Sequence, residues 1–126
     1  METSVLLRIV YAANETGMYV VGPSYLSSEL GIPKSTAQKL LVKLAEQGYG
    51  VYIPRKGFVL NNKGLKEAKK AMRKHRLIEC LLEEIGVTEI CLEAARIESV
   101  VEGELLEVIE KRYGSRKRCP CGKLIP

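Results

Sequence analysis

Apolar positions recur with helical spacing along most of the chain, and one short stretch near the middle alternates as strands do. The spacing predicts helices at residues 3–13, 24–30, about 34–47, about 63–85, about 88–101 and 102–113. Val51 and Ile53 lie before the turn-forming residues Pro54–Gly57, and the apolar run Phe58–Leu60 follows them. That pattern predicts a β-hairpin, so the fold is expected to be mainly α with one small hairpin.

The second and third predicted helices are separated by Gly31-Ile32-Pro33. Gly31 suits a tight turn after one helix, and Pro33 suits the entry into the next. Two helices joined in this way, with a basic outward face on the second, are typical of a helix-turn-helix. The hairpin that follows turns this into the order of a winged helix. A small helical domain with an ordinary hairpin is the alternative.

The outward face of the third predicted helix is a candidate DNA-reading surface. Ser35, Thr36 and Gln38 could reach base edges in the major groove. The basic side chains that would meet phosphates are Lys34, Lys39, Lys43, Arg55 and Lys56. A merely solvated helix face is the other interpretation, because lysines are common on protein surfaces.

The net charge of +5 hides blocks of opposite sign along the 126 residues. Residues 63–78 carry +6, residues 79–110 carry −9, and residues 111–126 carry +6. Such blocks indicate different faces for different partners, with nucleic acid a candidate for the basic ones. No apolar run approaches the ~18 residues of a spanning helix, and the start does not resemble a signal peptide. We therefore expect a cytoplasmic protein with no membrane partner.

His75 and Glu79 lie one turn apart on the apolar stripe of the long fourth helix. A buried imidazole or carboxylate needs a partner, which a hydrogen bond between the two residues or a metal ion would supply. In a reducing cytosol the four cysteines are thiols or metal ligands before they are disulfides. Cys91, Cys119 and Cys121 could contribute thiolates, and spacing alone leaves the choice open.

Three segments after the predicted winged helix are Arg73–Glu79, Glu93–Ser99 and Cys119–Pro126. In their order and spacing the chain resembles the diphtheria-toxin-repressor family of metal-dependent transcriptional regulators. The resemblance implies a winged helix-turn-helix DNA-binding domain over residues 1–64. It implies a helical dimerisation and metal-binding domain over residues 65–126, without the SH3-like domain of longer members. A homodimeric repressor that binds double-stranded DNA is the function it implies.

The resemblance also implies an ancillary metal site at His75 and Glu79, with Cys91 where the family has a histidine. Arg76 and Cys119 match the positions at which the family holds an anion, and a thiolate could replace that anion. The implied ligands are His75, Glu79, Cys91 and Cys119, with Cys121 in reserve. Two sulfurs, one nitrogen and one oxygen suit Zn²⁺ best, with Fe²⁺ and Mn²⁺ as the other candidates.

The family's second, regulatory metal site is expected to be degraded in this chain. By resemblance its positions fall on Ser4 or Val5, Ala95, Glu98 and Ser99. Glu98 alone among them is a strong ligand, so it is a further candidate for metal binding. The usual mechanism, in which metal at this site fits the dimer to DNA, is therefore in doubt.

Several alternatives stay open from the sequence. The zinc could be purely structural, with regulation independent of metal. Oxidation of Cys119 and Cys121 could make the protein a redox sensor, and a winged helix could bind RNA on the ribosome. An enzyme is not expected, because the chain has no phosphate-binding glycine loop and no nucleophile beside an evident base.

Overall fold

The computed structural model describes residues 3–126, and over that range helices dominate. The elements are α1 (Thr3–Glu15), α2 (Pro23–Leu30), α3 (Lys34–Glu46), β1 (Gly50–Ile53), β2 (Gly57–Leu60), α4 (Asn62–Glu84), α5 (Ile90–Ile97) and α6 (Gly103–Tyr113). The mainly α class with a winged hairpin is thus confirmed. The chain divides into two compact units after Lys69, within α4, and the boundary after residue 64 stays a prediction.

The turn between α2 and α3 is built as the sequence predicts. Gly31 adopts a φ of +65° and its N–H donates to the Ser27 carbonyl at 2.9 Å, which ends α2. This left-handed conformation favours glycine because it has no Cβ. Pro33 precedes the first residue of α3 in an extended conformation. Leu26, Ala37, Leu41 and Leu44 are buried beneath the turn, which leaves the other face of α3 to solvent.

The hairpin of β1 and β2, here called the wing, is anchored on Phe58. Val51 pairs with Val59 and Ile53 with Gly57 in an antiparallel register. Phe58 is fully buried and exchanges two backbone hydrogen bonds of 2.9 Å with Val21. A Cβ at Gly57 would lie 2.4 Å from the Val21 carbonyl oxygen, so glycine is required there. The wing therefore has a fixed base and an exposed tip.

The second unit packs α4, α5 and α6 around its own apolar core. Its largest fully buried side chains include Leu77, Ile78 and Tyr113. Tyr113 and Arg112 both donate hydrogen bonds to Glu84 near the end of α4. These hydrogen bonds lower the pKa of the Glu84 carboxyl to about 2, and the bond from Arg112 has the larger effect. The last turn of α6 is thereby tied to the last turn of α4.

The sequence prediction for the fifth helix was too long at both ends. Thr88 does not cap it, since Glu89 precedes the first residue of α5, and the helix ends at Ile97 rather than near residue 101. Val101 is 4 % exposed, so the chain leaves the helix and buries this side chain before α6 begins. Burial of an apolar side chain here outweighs continuation of the helix.

The tail after α6 is more ordered than the irregular segment expected from its sequence. The Cys119 N–H donates to the Lys123 carbonyl at 2.9 Å, and Arg118 pairs with Leu124 in an isolated antiparallel bridge. The tail therefore closes a tight turn around the Cys-Pro-Cys-Gly sequence. Over the described residues, no helix is long and apolar enough to cross a membrane.

Candidate functional site

Glu79, Cys91 and Cys121 converge in the second unit and form what we call the three-residue cluster. The Cys91 thiol donates to Glu79 Oε2 at 3.0 Å, and the two sulfurs of Cys91 and Cys121 lie 3.0 Å apart. Cys121 Sγ is 3.6 Å from the same carboxylate oxygen. All three ligand atoms lie within 4.8 Å of one another. Two sulfurs and one carboxylate oxygen are thus arranged as ligands of a single metal ion could be.

His75 lies one turn before Glu79 on α4 and is buried with it. Its Nε2 is 3.7 Å from Glu79 Oε2, and its Nδ1 is 3.3 Å from Glu98 Oε1. Nδ1 is buried without a hydrogen-bond partner. The ring therefore turns one nitrogen towards the three-residue cluster and the other towards a buried carboxylate. Metal-binding histidines are commonly oriented in this way, with a carboxylate behind the ring.

Cys119, which the sequence favoured over Cys121, is not one of the three residues of the cluster, although its side chain also interacts with Glu79. Cys119 is buried, whereas Cys121 is exposed. Burial, the largest effect, raises the pKa of the Cys119 thiol, and the nearby Glu79 side chain raises it further, whereas backbone N–H groups of Lys123 and Cys121 lower it. The tight turn between the two cysteines therefore brings both of them near Glu79, with Cys121 on the exposed side and Cys119 buried.

The pKa of the Cys91 thiol is raised well above its usual range. Burial of the sulfur is the largest cause, followed by the hydrogen bond to Glu79 and the contact with Cys121. A thiolate here would face a carboxylate and a second sulfur, so the neutral thiol is favoured. A divalent cation would reverse that preference, because thiolates are the form that coordinates metal.

Two arginines of α4 hold the tail in place beside the cluster. Arg73 donates to the Pro126 carbonyl at 3.0 Å and also binds Glu110 of α6. Arg76 donates to the Leu124 carbonyl. Arg76 is the residue that the family resemblance links to a bound anion, and in this chain it contacts the tail backbone. These bonds fix the position from which Cys121 reaches Glu79.

The positions of the expected regulatory site are poor in ligands. Ala95 is exposed and Ser99 is half-buried, and both lie at or just after α5. Ser4 and Val5 are half-buried residues of α1 in the first unit. Glu98 is the exception, since it is 4 % exposed and lies against His75. No spacing rule predicts that contact, because the two residues come from different helices.

The predicted DNA-reading residues all lie on the surface of the first unit. The exposed residues are Lys34, Ser35, Thr36, Gln38, Lys39, Lys43, Arg55 and Lys56. Ser35, Gln38 and Lys39 line a shallow groove on α3, and Glu46, which the sequence pattern did not indicate, also lines it. At the tip of the wing, Arg55 has a φ of +66°. Arginine rarely adopts this conformation, so the tip is strained at a candidate contact residue.

Two family models together match most of the chain. The model described as the iron dependent repressor N-terminal DNA binding domain matches residues 1–58. The model described as the iron dependent repressor metal binding and dimerisation domain matches residues 61–126. The helix-turn-helix and most of the wing fall within the first match, and the three-residue cluster falls within the second.

Relatives of similar sequence are described as HTH-type transcriptional regulators. Over 85 residues the chain is 36% identical to an uncharacterized HTH-type transcriptional regulator of Methanocaldococcus jannaschii, covering 65% of this chain and 68% of that protein. Over 80 residues it is 36% identical to the HTH-type transcriptional regulator MntR of Lysinibacillus sphaericus, covering 64% of this chain and 54% of that protein.

Solved structures share the fold over nearly the whole chain. A manganese-dependent transcriptional repressor in complex with manganese superposes with a TM-score of 0.86 at 29% identity, covering 98% of this chain and 57% of its own. The IdeR of T. acidophilum superposes with a TM-score of 0.81 at 25% identity, covering 100% of this chain and 60% of its own. The chain thus spans little more than half the length of these neighbours.

Proposed function

Because the chain belongs to the iron-dependent repressor family, a family of transcriptional regulators and not of enzymes, we propose that it is a metal-dependent repressor acting as a homodimer on double-stranded DNA in the cytoplasm. The observation that carries the proposal is the convergence of Glu79, Cys91 and Cys121 within the domain that matches the metal-binding model. Metal analysis of the purified chain, before and after dialysis against a chelator, tests the metal part of the proposal.

The metal site we propose takes its ligands from Glu79, Cys91 and Cys121, with His75 Nε2 as the fourth. Cys119 is the alternative to Cys121 as a metal ligand. Two thiolates, an imidazole and a carboxylate suit Zn²⁺ better than Mn²⁺, which prefers oxygen ligands. The metal would neutralise the converging negative groups and join α4, α5 and the tail. We therefore expect about one zinc per chain, and a protein that holds no transition metal would contradict the site.

Glu98 has a supporting role in this proposal. Its carboxylate lies 3.3 Å from His75 Nδ1, on the side of the ring away from Glu79. Held there, the carboxylate would accept a hydrogen bond from the Nδ1–H group, and the lone pair of Nε2 would be free to bind the metal. Glu98 is then a positioning residue for His75, although the resemblance gives its position to the regulatory site.

Replacing Glu98 by glutamine should weaken metal binding about 10-fold to 100-fold, the usual effect of removing an outer carboxylate. The affinity is measured by competition with a chromogenic chelator. Glu89→Gln, an exposed change before α5, is the matched control and should leave the affinity unchanged. Equal affinities of Glu98→Gln and the parent protein would remove Glu98 from the site.

The DNA contacts we propose are those of the exposed face of α3 and of the wing. Exposure of the basic face, the groove along α3 and the match to a DNA-binding domain support this assignment. Ser35, Thr36 and Gln38 would read bases, and the lysines would contact phosphates. The strained Arg55 would add a contact from the tip of the wing.

Replacing Arg55 by glycine should leave the melting temperature unchanged or raise it, because glycine adopts a φ of +66° without strain. DNA affinity should fall several-fold, and the log-log salt dependence should flatten by about 0.9 for each phosphate that the protein no longer neutralises. Thermal melts and fluorescence anisotropy on a selected duplex measure the two effects. Arg55→Lys should retain most of the affinity; if glycine binds as tightly as arginine, Arg55 has no role in DNA binding.

The homodimer we propose would use the second unit. Its side chains that are apolar and at least half exposed are Ile85, Leu92, Val100, Leu105, Val108 and Leu124. Their exposure and the match to a domain described as a dimerisation domain support this assignment. Ile78 of α4 is fully buried in the chain's own core and would not contribute.

A second candidate function keeps DNA binding but makes the metal structural. The lack of strong ligands at Ala95 and Ser99 favours it, because the usual regulatory site cannot form from these residues. Under this alternative, occupancy of the three-residue cluster stabilises the fold and DNA affinity does not depend on it.

A further inference from the structure

Cys91 and Cys121 differ from the other two cysteines of the chain. Both are exposed, whereas Cys80 and Cys119 are buried. Their sulfurs lie 3.0 Å apart, although 30 positions separate the residues in the sequence. The preformed pair of sulfurs therefore belongs to two surface-exposed residues.

The short distance between the two sulfurs suits a disulfide between Cys91 and Cys121. An S–S bond is about 2.05 Å long, so the sulfurs need to approach by only about 1 Å. Arg73 and Arg76 hold the tail through the carbonyls of Pro126 and Leu124, which keeps Cys121 beside α5. Cys119 and Cys121 are separated by one residue, and a disulfide across so short a loop is strained.

We propose that Cys91 and Cys121 form a peroxide-sensitive dithiol, whose oxidation to a disulfide removes two ligands from the metal site and releases the metal. The inference rests on the proposed metal site for its second half. It differs from the Cys119–Cys121 sensor considered from the sequence, because the partner of Cys121 is on α5. The two cysteines are thus a site at which hydroperoxides oxidise the protein.

The oxidation balances with hydrogen peroxide as the oxidant. One cysteine sulfur attacks a peroxide oxygen; an S–O bond forms, the O–O bond breaks, and hydroxide leaves and takes up a proton to become water. The second sulfur then attacks the sulfenic acid; the S–S bond forms, the S–O bond breaks, and a second water leaves. The two sulfurs lose two electrons in total and the peroxide gains them; the two protons that complete the waters come from the thiols of the metal-free protein, or from solvent when both sulfurs are metal-bound thiolates. The metal keeps its oxidation state and is released because a disulfide is a poor ligand.

The test treats the zinc-loaded full chain with hydrogen peroxide and follows two readouts. Zinc release is measured with a chromogenic chelator, and the disulfide is located by peptide mapping without reductant. We expect a Cys91–Cys121 linked peptide and release of about one zinc per chain, both reversed by dithiothreitol and added zinc. Cys119→Ser is the matched variant, and it should still form the Cys91–Cys121 link. Cys121→Ser should form none.

The outcomes separate this inference from the metal proposal. Zinc bound before treatment, with peroxide producing a Cys119–Cys121 link or only sulfinic acids, overturns the inference and leaves the metal site standing. A Cys91–Cys121 link that forms while zinc stays bound also overturns it. If the untreated protein holds no metal, the metal proposal fails, and a peroxide-induced Cys91–Cys121 link would then still support the dithiol. Because the link is mapped in the parent chain, a variant that fails to fold does not decide the result.

Discussion

Replacing Cys91 by alanine will strip the protein of its metal and lower the melting temperature of the zinc-loaded form by more than about 10 °C. Cys91 Sγ is the atom that contacts both other members of the three-residue cluster, each at 3.0 Å. A metal present at 1,000 times its Kd stabilises the folded state by about 4 kcal/mol. For a unit of this size each kcal/mol corresponds to roughly 4–8 °C. Metal content by mass spectrometry and thermal melts, with and without zinc, measure both effects.

The control for this experiment is Thr88→Ala, an exposed change three positions before Cys91. This variant should have the melting temperature of the parent protein and should keep its metal. The metal-free forms of the parent and of Cys91→Ala should melt within a few degrees of each other, because truncating an exposed thiol has a small effect on the fold itself. A zinc-loaded Cys91→Ala protein with the parent's melting temperature and metal content would show that Cys91 is not a ligand.

Replacing Lys34, Lys39 and Lys43 together by alanine will weaken binding to duplex DNA by at least about 100-fold in low salt. The three side chains are exposed on one helix, and each is proposed to neutralise a phosphate. The plot of log affinity against log salt concentration becomes less steep by about 0.9 for each phosphate that is no longer neutralised. The three substitutions should therefore reduce its steepness by about 2.7 for each α3 helix bound to the DNA. Anisotropy titrations over a range of salt concentrations measure the affinity and the slope.

The matched control for the triple change is Lys66, Lys69 and Lys117 replaced by alanine. These lysines are equally exposed and lie on α4 and in the tail. The control has the same net charge as the triple α3 variant, so a difference between the two reports on the position of the charge. If both variants bind DNA with equally reduced affinity, α3 is not the DNA-reading helix.

The helix-turn-helix and the wing could be predicted closely from the sequence because local rules determine them. Gly31 and Pro33 define the turn, and the predicted start of α3 at Lys34 is the observed one. The end of α5 could not be predicted in the same way. There the chain leaves helical geometry to bury Val101 in a core formed by α4 and α6, and that advantage depends on tertiary packing.

The candidate site was predictable only in part. His75 and Glu79 could be paired from their spacing of four along one helix. The choice between Cys119 and Cys121 depends on the tail turn, which buries Cys119 and leaves Cys121 exposed beside Cys91, and no spacing rule decides it. The contact of Glu98 with His75 joins two helices and likewise needed the fold.

The affinity for a selected duplex, measured for the same zinc-loaded protein before and after chelation and again after zinc is restored, tests metal-dependent repression most directly. We predict a drop of at least 10-fold on chelation and full recovery with zinc, with Cys91→Ala fixed at the weak affinity throughout. Equal affinities with and without metal, while thermal melts confirm that zinc has left, would contradict metal-dependent repression and support a structural metal.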